Sequence, residues 1–229
     1  MAQGMQFLIL GWLILDITGS SYQLGLVIFA FGLPNLIFAM VGGIIADRTS
    51  RLNLLISTRL CVVILIGALA ILRTTSFLEV WHIYAIVVLL GIIQGLNGAA
   101  RMAIVADLVH RDHLMNAVAL HSMVNQTGQI IGPAMAGGII EFVGIAPSLF
   151  VNAGLYLSGA VFLALIRGLP AQYAGNGSSV FEDLKAGLRS IRSTPILYTV
   201  IGMTLAFAFF AVSYLSLIHI SEPTRPLYI

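Results

Sequence analysis

The chain has 229 residues, 59% of them hydrophobic and only 9% charged, with a formal net charge of +2. An ordinary soluble domain carries about 25% charged residues, so this chain could not cover its own surface in water and reads as an integral membrane protein. The slight charge gives no sign of nucleic-acid binding. The single cysteine, Cys61 within an apolar run, excludes a disulfide framework or a paired-cysteine metal site.

Crossing the hydrocarbon takes about 20 mostly apolar residues in a helix, which predicts spans at roughly 2–17, 23–46, 53–72, 80–100, 117–140, 147–167 and 195–214. Helices are the default because each backbone amide in lipid must be satisfied within its own segment, and the short alternating strands of a barrel are not seen. The first span is short, and nothing basic precedes MAQGMQFLILGWLILDI as a signal peptide requires. We expect Met1 to lie inside a longer first helix. Asp16 closes that span as a helix-end acid in contact with water.

After the second span, GGIIADRTSR places Asp47, Arg48 and Arg51 between two oily runs. A tight turn at Thr49 and Ser50 puts Asp47 at the end of one helix and Arg51 at the start of the next, where they can pair or meet another helix end. Gly42 and Gly43 permit close helix approach. In the fourth span, Gly91, Gly95 and Gly98 make a small-residue face. Arg101 sits a turn or two inside the interface, where a charge either faces a cavity or partner, or snorkels to the headgroups. The fifth span carries Gly128 and Gly132 on one face, then Pro133, Gly137 and Gly138, a pattern for packing and kinking. Asn35, Gln94, Asn97, Asn125 and Gln129 are candidates for lining a central cavity or for bonding between helices. His110 and His113 have no third ligand nearby, so no metal or cofactor is expected. No phosphate-cradling loop and no catalytic constellation is marked by spacing, so neither ATP-driven transport nor an enzyme is expected.

Basic residues decide orientation. Arg48, Arg51, Arg59, Arg101, Arg111, Arg167, Lys185, Arg189 and Arg192 fall on one side of the predicted spans and Arg73 alone on the other, so the loop at 47–51 and the linker at 169–194 are expected in the cytoplasm. Within that linker, Val180, Leu184, Leu188 and Ile191 recur at helical spacing, acids at the start and bases at the end, which predicts an amphipathic helix on the membrane surface. LSLIHISEPTRP is similar to translated read-through of a sequencing adapter, and 215–229 is expected to be an artefactual tail.

Six spans, a surface helix and a seventh span, together with GGIIADRTSR, GIIQGLNGAARMAIVADLV, GQIIGPAMAGGII and FEDLKAGLRSIRSTP, resemble the front of the major facilitator superfamily, and within it the bacterial drug- and siderophore-exporting branch. The family's loop motif is met by Gly43, Asp47, Arg48 and Arg51, with Ser50 or Thr49 where a glycine is usual. The paired glycines after Pro133 are one residue out of register with the motif linked to proton antiport.

The resemblance implies an all-α membrane protein. Its parts would be a six-helix N-terminal bundle at 1–168, a cytoplasmic linker at 169–194 and the start of a second bundle at 195–214. It further implies a multi-pass protein of the bacterial inner membrane that exports amphipathic compounds or siderophores by alternating access, coupled to protons. Gly43, Asp47, Arg48, Arg51 and Arg101 would act in gating, and a C-terminal half of the same chain would be the partner. A same-fold importer and a nontransporting membrane scaffold are the alternatives.

Overall fold

The computed structural model describes residues 1–165, Thr199, Gly202 and Met203, excepting the side chains of Met40, Asp47, Ala99, Ala106, Asp107, Leu108 and Arg111. The chain divides into two compact units, residues 1–177 and 178–229. The linker expected at 169–194 and the tail at 215–229 lie outside the described residues, as does all of the seventh span but those three.

The first unit is a sequence of six helices: α1 (Ala2–Thr18), α2 (Ser21–Arg48), α3 (Arg51–Thr74), α4 (Val80–Leu108), α5 (Leu114–Val143) and α6 (Ile145–Ala164), with a short 3₁₀ turn at Arg111–His113 before α5. They coincide with the first six predicted spans, and no strand occurs among the described residues. By length and hydropathy, segments 21–39, 51–74, 80–105 and 145–164 can each cross a membrane, while α1 is shorter at 17 residues. The 30-residue α5 is long enough but carries many polar side chains, His121, Asn125, Gln126 and Gln129 among them.

Local chemistry places the turns. Gly19 ends α1 at φ 62°, a left-handed conformation that costs glycine little, and its N–H bonds to the Leu15 carbonyl. Only Thr49 and Ser50 separate α2 from α3, and the Ser50 hydroxyl accepts from the Asn53 N–H at 3.4 Å. Asp47 therefore lies in the last turn of α2 and Arg51 opens α3, as the loop motif predicts. At the start of α4 a reciprocal cap forms: the Glu79 side chain accepts from the His82 backbone, and His82 Nδ1 accepts from the Glu79 N–H at 3.2 Å. Gly144 alone joins α5 to α6 at φ 99° and ψ 176°, a region open essentially to glycine.

Lipid supplies no hydrophobic drive between helices, so they associate by close packing of small residues. The tightest pairs are α2 on α4, α3 on α6 and α1 on α5. Gly91, Gly95 and Gly42 sit where α2 and α4 cross. A Cβ on Gly95 would stand 2.6 Å from the Asn35 carbonyl oxygen, and one on Gly42 would stand 2.7 Å from that of Gly95. Contacts rise together along both chains, so these two helices run parallel. Between α1 and α5 the same role falls to Gly4, Gly128 and Gly132, with the Pro133 ring resting on Gly4.

The main apolar core, including Ile9, Leu13, Ile66, Leu69, Ile83 and Leu90, gathers toward the end where α1 finishes and α4 begins. A smaller cluster of Ala46, Leu55, Ala100 and Ile104 lies toward the opposite end, which bears Arg48 and Arg51 and is called the basic end below.

A β-carbon at Gly95 has no room, whereas one at Gly98 meets nothing within 4 Å. Gly95→Ala is therefore expected to destabilise the protein by about 1–3 kcal/mol through overpacking, and Gly98→Ala to leave it unchanged. Thermal unfolding of the two variants in detergent checks this pair.

Candidate functional site

Between the two apolar clusters the helices enclose a cavity of about 320 Å³ to which all six contribute side chains. Its chemistry is graded. Leu24, Val27 and Phe31 of α2 with Val87 and Leu90 of α4 make one part wholly apolar, while Arg59, Arg101, His121 and Tyr156 line another. The helix bounds explain this grouping. Arg59 is eight residues into α3, Arg101 seven before the end of α4, His121 seven into α5 and Tyr156 eight before the end of α6. At 1.5 Å per residue, all four lie about 10–12 Å in from the basic end, one from each of four helices.

Hydrogen bonds hold parts of this wall. The Tyr156 hydroxyl donates to the Gln6 side-chain oxygen at 2.6 Å, joining α6 to α1. The Thr58 hydroxyl donates to Asn97 Oδ1 at 2.6 Å, joining α3 to α4. Fully buried Asn152 donates to the Ala2 carbonyl at 2.8 Å, while its own Oδ1 is unpaired. Arg59 extends across Gly159 of α6, where any Cβ would come 2.5 Å from Nη1, so the glycine makes the space for the guanidinium. The Nε of Arg101 is buried without a hydrogen-bond partner. No aspartate or glutamate lines the cavity among the described residues. A charge at the centre of a span costs about 2.5–3.5 kcal/mol on insertion scales, which is why such residues mark function.

Among the sequence-predicted cavity residues, Gln94, Asn97, Asn125 and Gln129 line this space. Asn35 does not: it lies one turn beyond Phe31 on α2, and its backbone is pressed onto Gly95 of α4. Arg101 lies on the cavity wall, and its neighbours Ala100 and Ile104 pack with Ala46 and Leu55 beside the 47–51 turn. Gly43 is half-buried, and it is the adjacent Gly42 that meets the α4 backbone. Gly128, Gly132 and Pro133 pack on α1, but Gly137 faces open space. Five residues beyond Gly132, it is rotated about 140° away from that contact.

Arg59, Tyr156, Gln6 and His121 escaped notice as site residues from the sequence. For Arg59 the signal was present, a cation eight residues inside an otherwise apolar helix. Asp16, expected at a helix end in contact with water, is exposed there and also pairs with Arg73 of α3 at 2.5 Å.

The chain matches the family described as transmembrane secretion effector over residues 3–222. An uncharacterised MFS-type transporter, YfiS of Bacillus subtilis, is 25% identical over 185 residues, covering 79% of this chain and 43% of its own. A staphyloferrin A transporter of Staphylococcus aureus is 31% identical over 159 residues, covering 68% and 39%. The enterobactin exporter EntS of Shigella flexneri is 29% identical over 196 residues, covering 82% and 46%. The chain thus spans less than half the length of these relatives. No solved structure matches it.

If the cavity is open to water, cysteines at Gln94 and Asn125 in a Cys61→Ala background should react with a water-soluble thiol reagent about tenfold faster or more than one at buried Ala136, since a ligand site must be reachable from solvent. Equal rates, followed by mass spectrometry, would show the cavity to be closed.

Proposed function

We propose that this chain, which belongs to the transmembrane secretion effector family of major facilitator transporters, forms one six-helix bundle of a secondary transporter that exports small amphipathic compounds or siderophores. The observation that carries this reading is the cavity itself: all six helices wall a single space with an apolar part and a polar part, which is what binding an amphipathic solute requires. Family membership sets the chain among transport proteins rather than enzymes. The names of the relatives favour export and siderophores as cargo.

The mechanism is alternating access, in which this bundle rocks against a second one about a site near the midplane. The basic end faces the cytoplasm, because loops rich in arginine stay there. Gly43, Asp47, Arg48 and Arg51 act at the gate. The turn is only Thr49 and Ser50, so α2 and α3 move as a hinged pair, and the cluster of Ala46, Leu55, Ala100 and Ile104 carries that motion to Arg101 at the cavity. An ion gradient, that of protons, drives the cycle, as in other secondary transporters.

An efflux assay with the full gene product in exporter-deficient bacteria separates the readings. Export predicts less accumulated dye than in empty-vector cells, with the difference abolished by a protonophore. Import predicts more, and a scaffold predicts no change. Asp47→Asn should return accumulation most of the way to the empty-vector level if the turn gates the cycle, and unchanged export by this variant would remove that role.

A further inference from the structure

We infer that the solute bound in this cavity is an amphipathic organic acid, its anionic group held between Arg59 and Arg101 and its apolar body against α2 and α4. This names the substrate class of the proposed transport site and rests on that reading.

Two guanidinium groups share one cavity wall at one depth, from α3 and α4. Neither forms an ion pair among the described residues, and the Nε of Arg101 is buried and unbonded. A buried charge is ordinarily paired or hydrogen-bonded. Two like charges without a counter-ion repel, and one anion between them relieves both repulsion and lost hydration. Guanidinium also presents a planar fork of donors matched to a carboxylate or a similar two-oxygen acid.

The surroundings support an organic acid rather than a bare inorganic anion. Tyr156 lies at the same depth on the same wall, its hydroxyl donating to Gln6. Beyond this layer the wall turns apolar at Leu10, Leu24, Val27, Val87 and Leu90, a surface that gains nothing from a small hydrated ion. A cavity of about 320 Å³ is of the size that holds a small organic molecule. A cationic amphiphile would face two like charges and, among the described lining residues, no carboxylate.

The test uses the full gene product in phosphatidylcholine nanodiscs with three matched fluorescent probes: 1-pyrenebutyrate, 1-pyrenebutanol and 1-pyrenebutylammonium. The acid is expected to bind at least about tenfold more tightly than the alcohol, and the ammonium more weakly than both, as a charge-assisted contact implies. Arg59→Gln and Arg101→Gln should each remove most of that preference while leaving alcohol affinity within about twofold, which also shows that the variants fold. Arg59→Lys should retain part of it.

No preference for the acid in the wild type overturns the inference, including the case in which neither probe binds or a carboxylate from the remainder of the protein occupies the arginines. Equal weakening of acid and alcohol by the glutamine variants overturns it as well. Loss of the preference when phosphatidylglycerol is added would assign the site to lipid headgroups instead of a solute. Export of an anionic amphipathic dye is measured in parallel. Export intact without acid preference sinks this assignment alone, and acid preference without export sinks the transport reading alone.

Discussion

Backbone contact between helices governs this structure. In hydrocarbon, side chains gain nothing by leaving lipid for one another, so two helices stay together only where they approach closely enough for many weak contacts to sum. Gly42, Gly91 and Gly95 provide that approach between α2 and α4, and Gly4, Gly128 and Gly132 provide it between α1 and α5. Each of these positions has a neighbour's backbone where a side chain would stand. The two crossings set the spacing of four helices, and α3 and α6 pack as a third pair beside them.

That spacing makes the cavity. Where the paired helices bring large aliphatic side chains inward, as at Ile9, Leu13, Ile66 and Leu69, the interior is filled. Where they bring Arg59, Asn97, Arg101 and Gln129, the side chains line a space instead of filling it, since long polar groups pack poorly against one another and keep room for a polar partner. Paired bonds across helices, Tyr156 to Gln6 and Thr58 to Asn97, brace the wall. The two arginines are left facing the space, and the Nε of Arg101 is buried there without a hydrogen-bond partner.

The basic end brings together a short turn and a small apolar cluster drawn from α2, α3 and α4. The Thr49–Ser50 turn joins α2 to α3 beside the small cluster of Ala46, Leu55, Ala100 and Ile104. Alanines there keep α2 close to α4, and Arg101 follows Ala100 directly.

Sequence alone determined where the helices lie, because a span must hold about 20 apolar residues and the turns carry Gly19, Ser50 and Gly144 at positions that demand or favour those residues. It also identified Gly128 and Gly132 as a packing face, since residues four apart share one side of a helix, and it marked Gln94, Asn97, Asn125 and Gln129 as polar groups in search of an interior. Which helix each face would meet was not legible. Gly137 resembles Gly132 in sequence yet touches nothing, and Asn35 resembles Asn97 yet misses the cavity, because periodicity gives a direction around one helix and not the neighbour found there. The pairing of Asp16 with Arg73, and the gathering of Arg59, Arg101, His121 and Tyr156 at one depth, depend on helices distant in the chain running side by side. Only tertiary packing decides that, since the favourable contacts between helices form only once their relative angle and register are set.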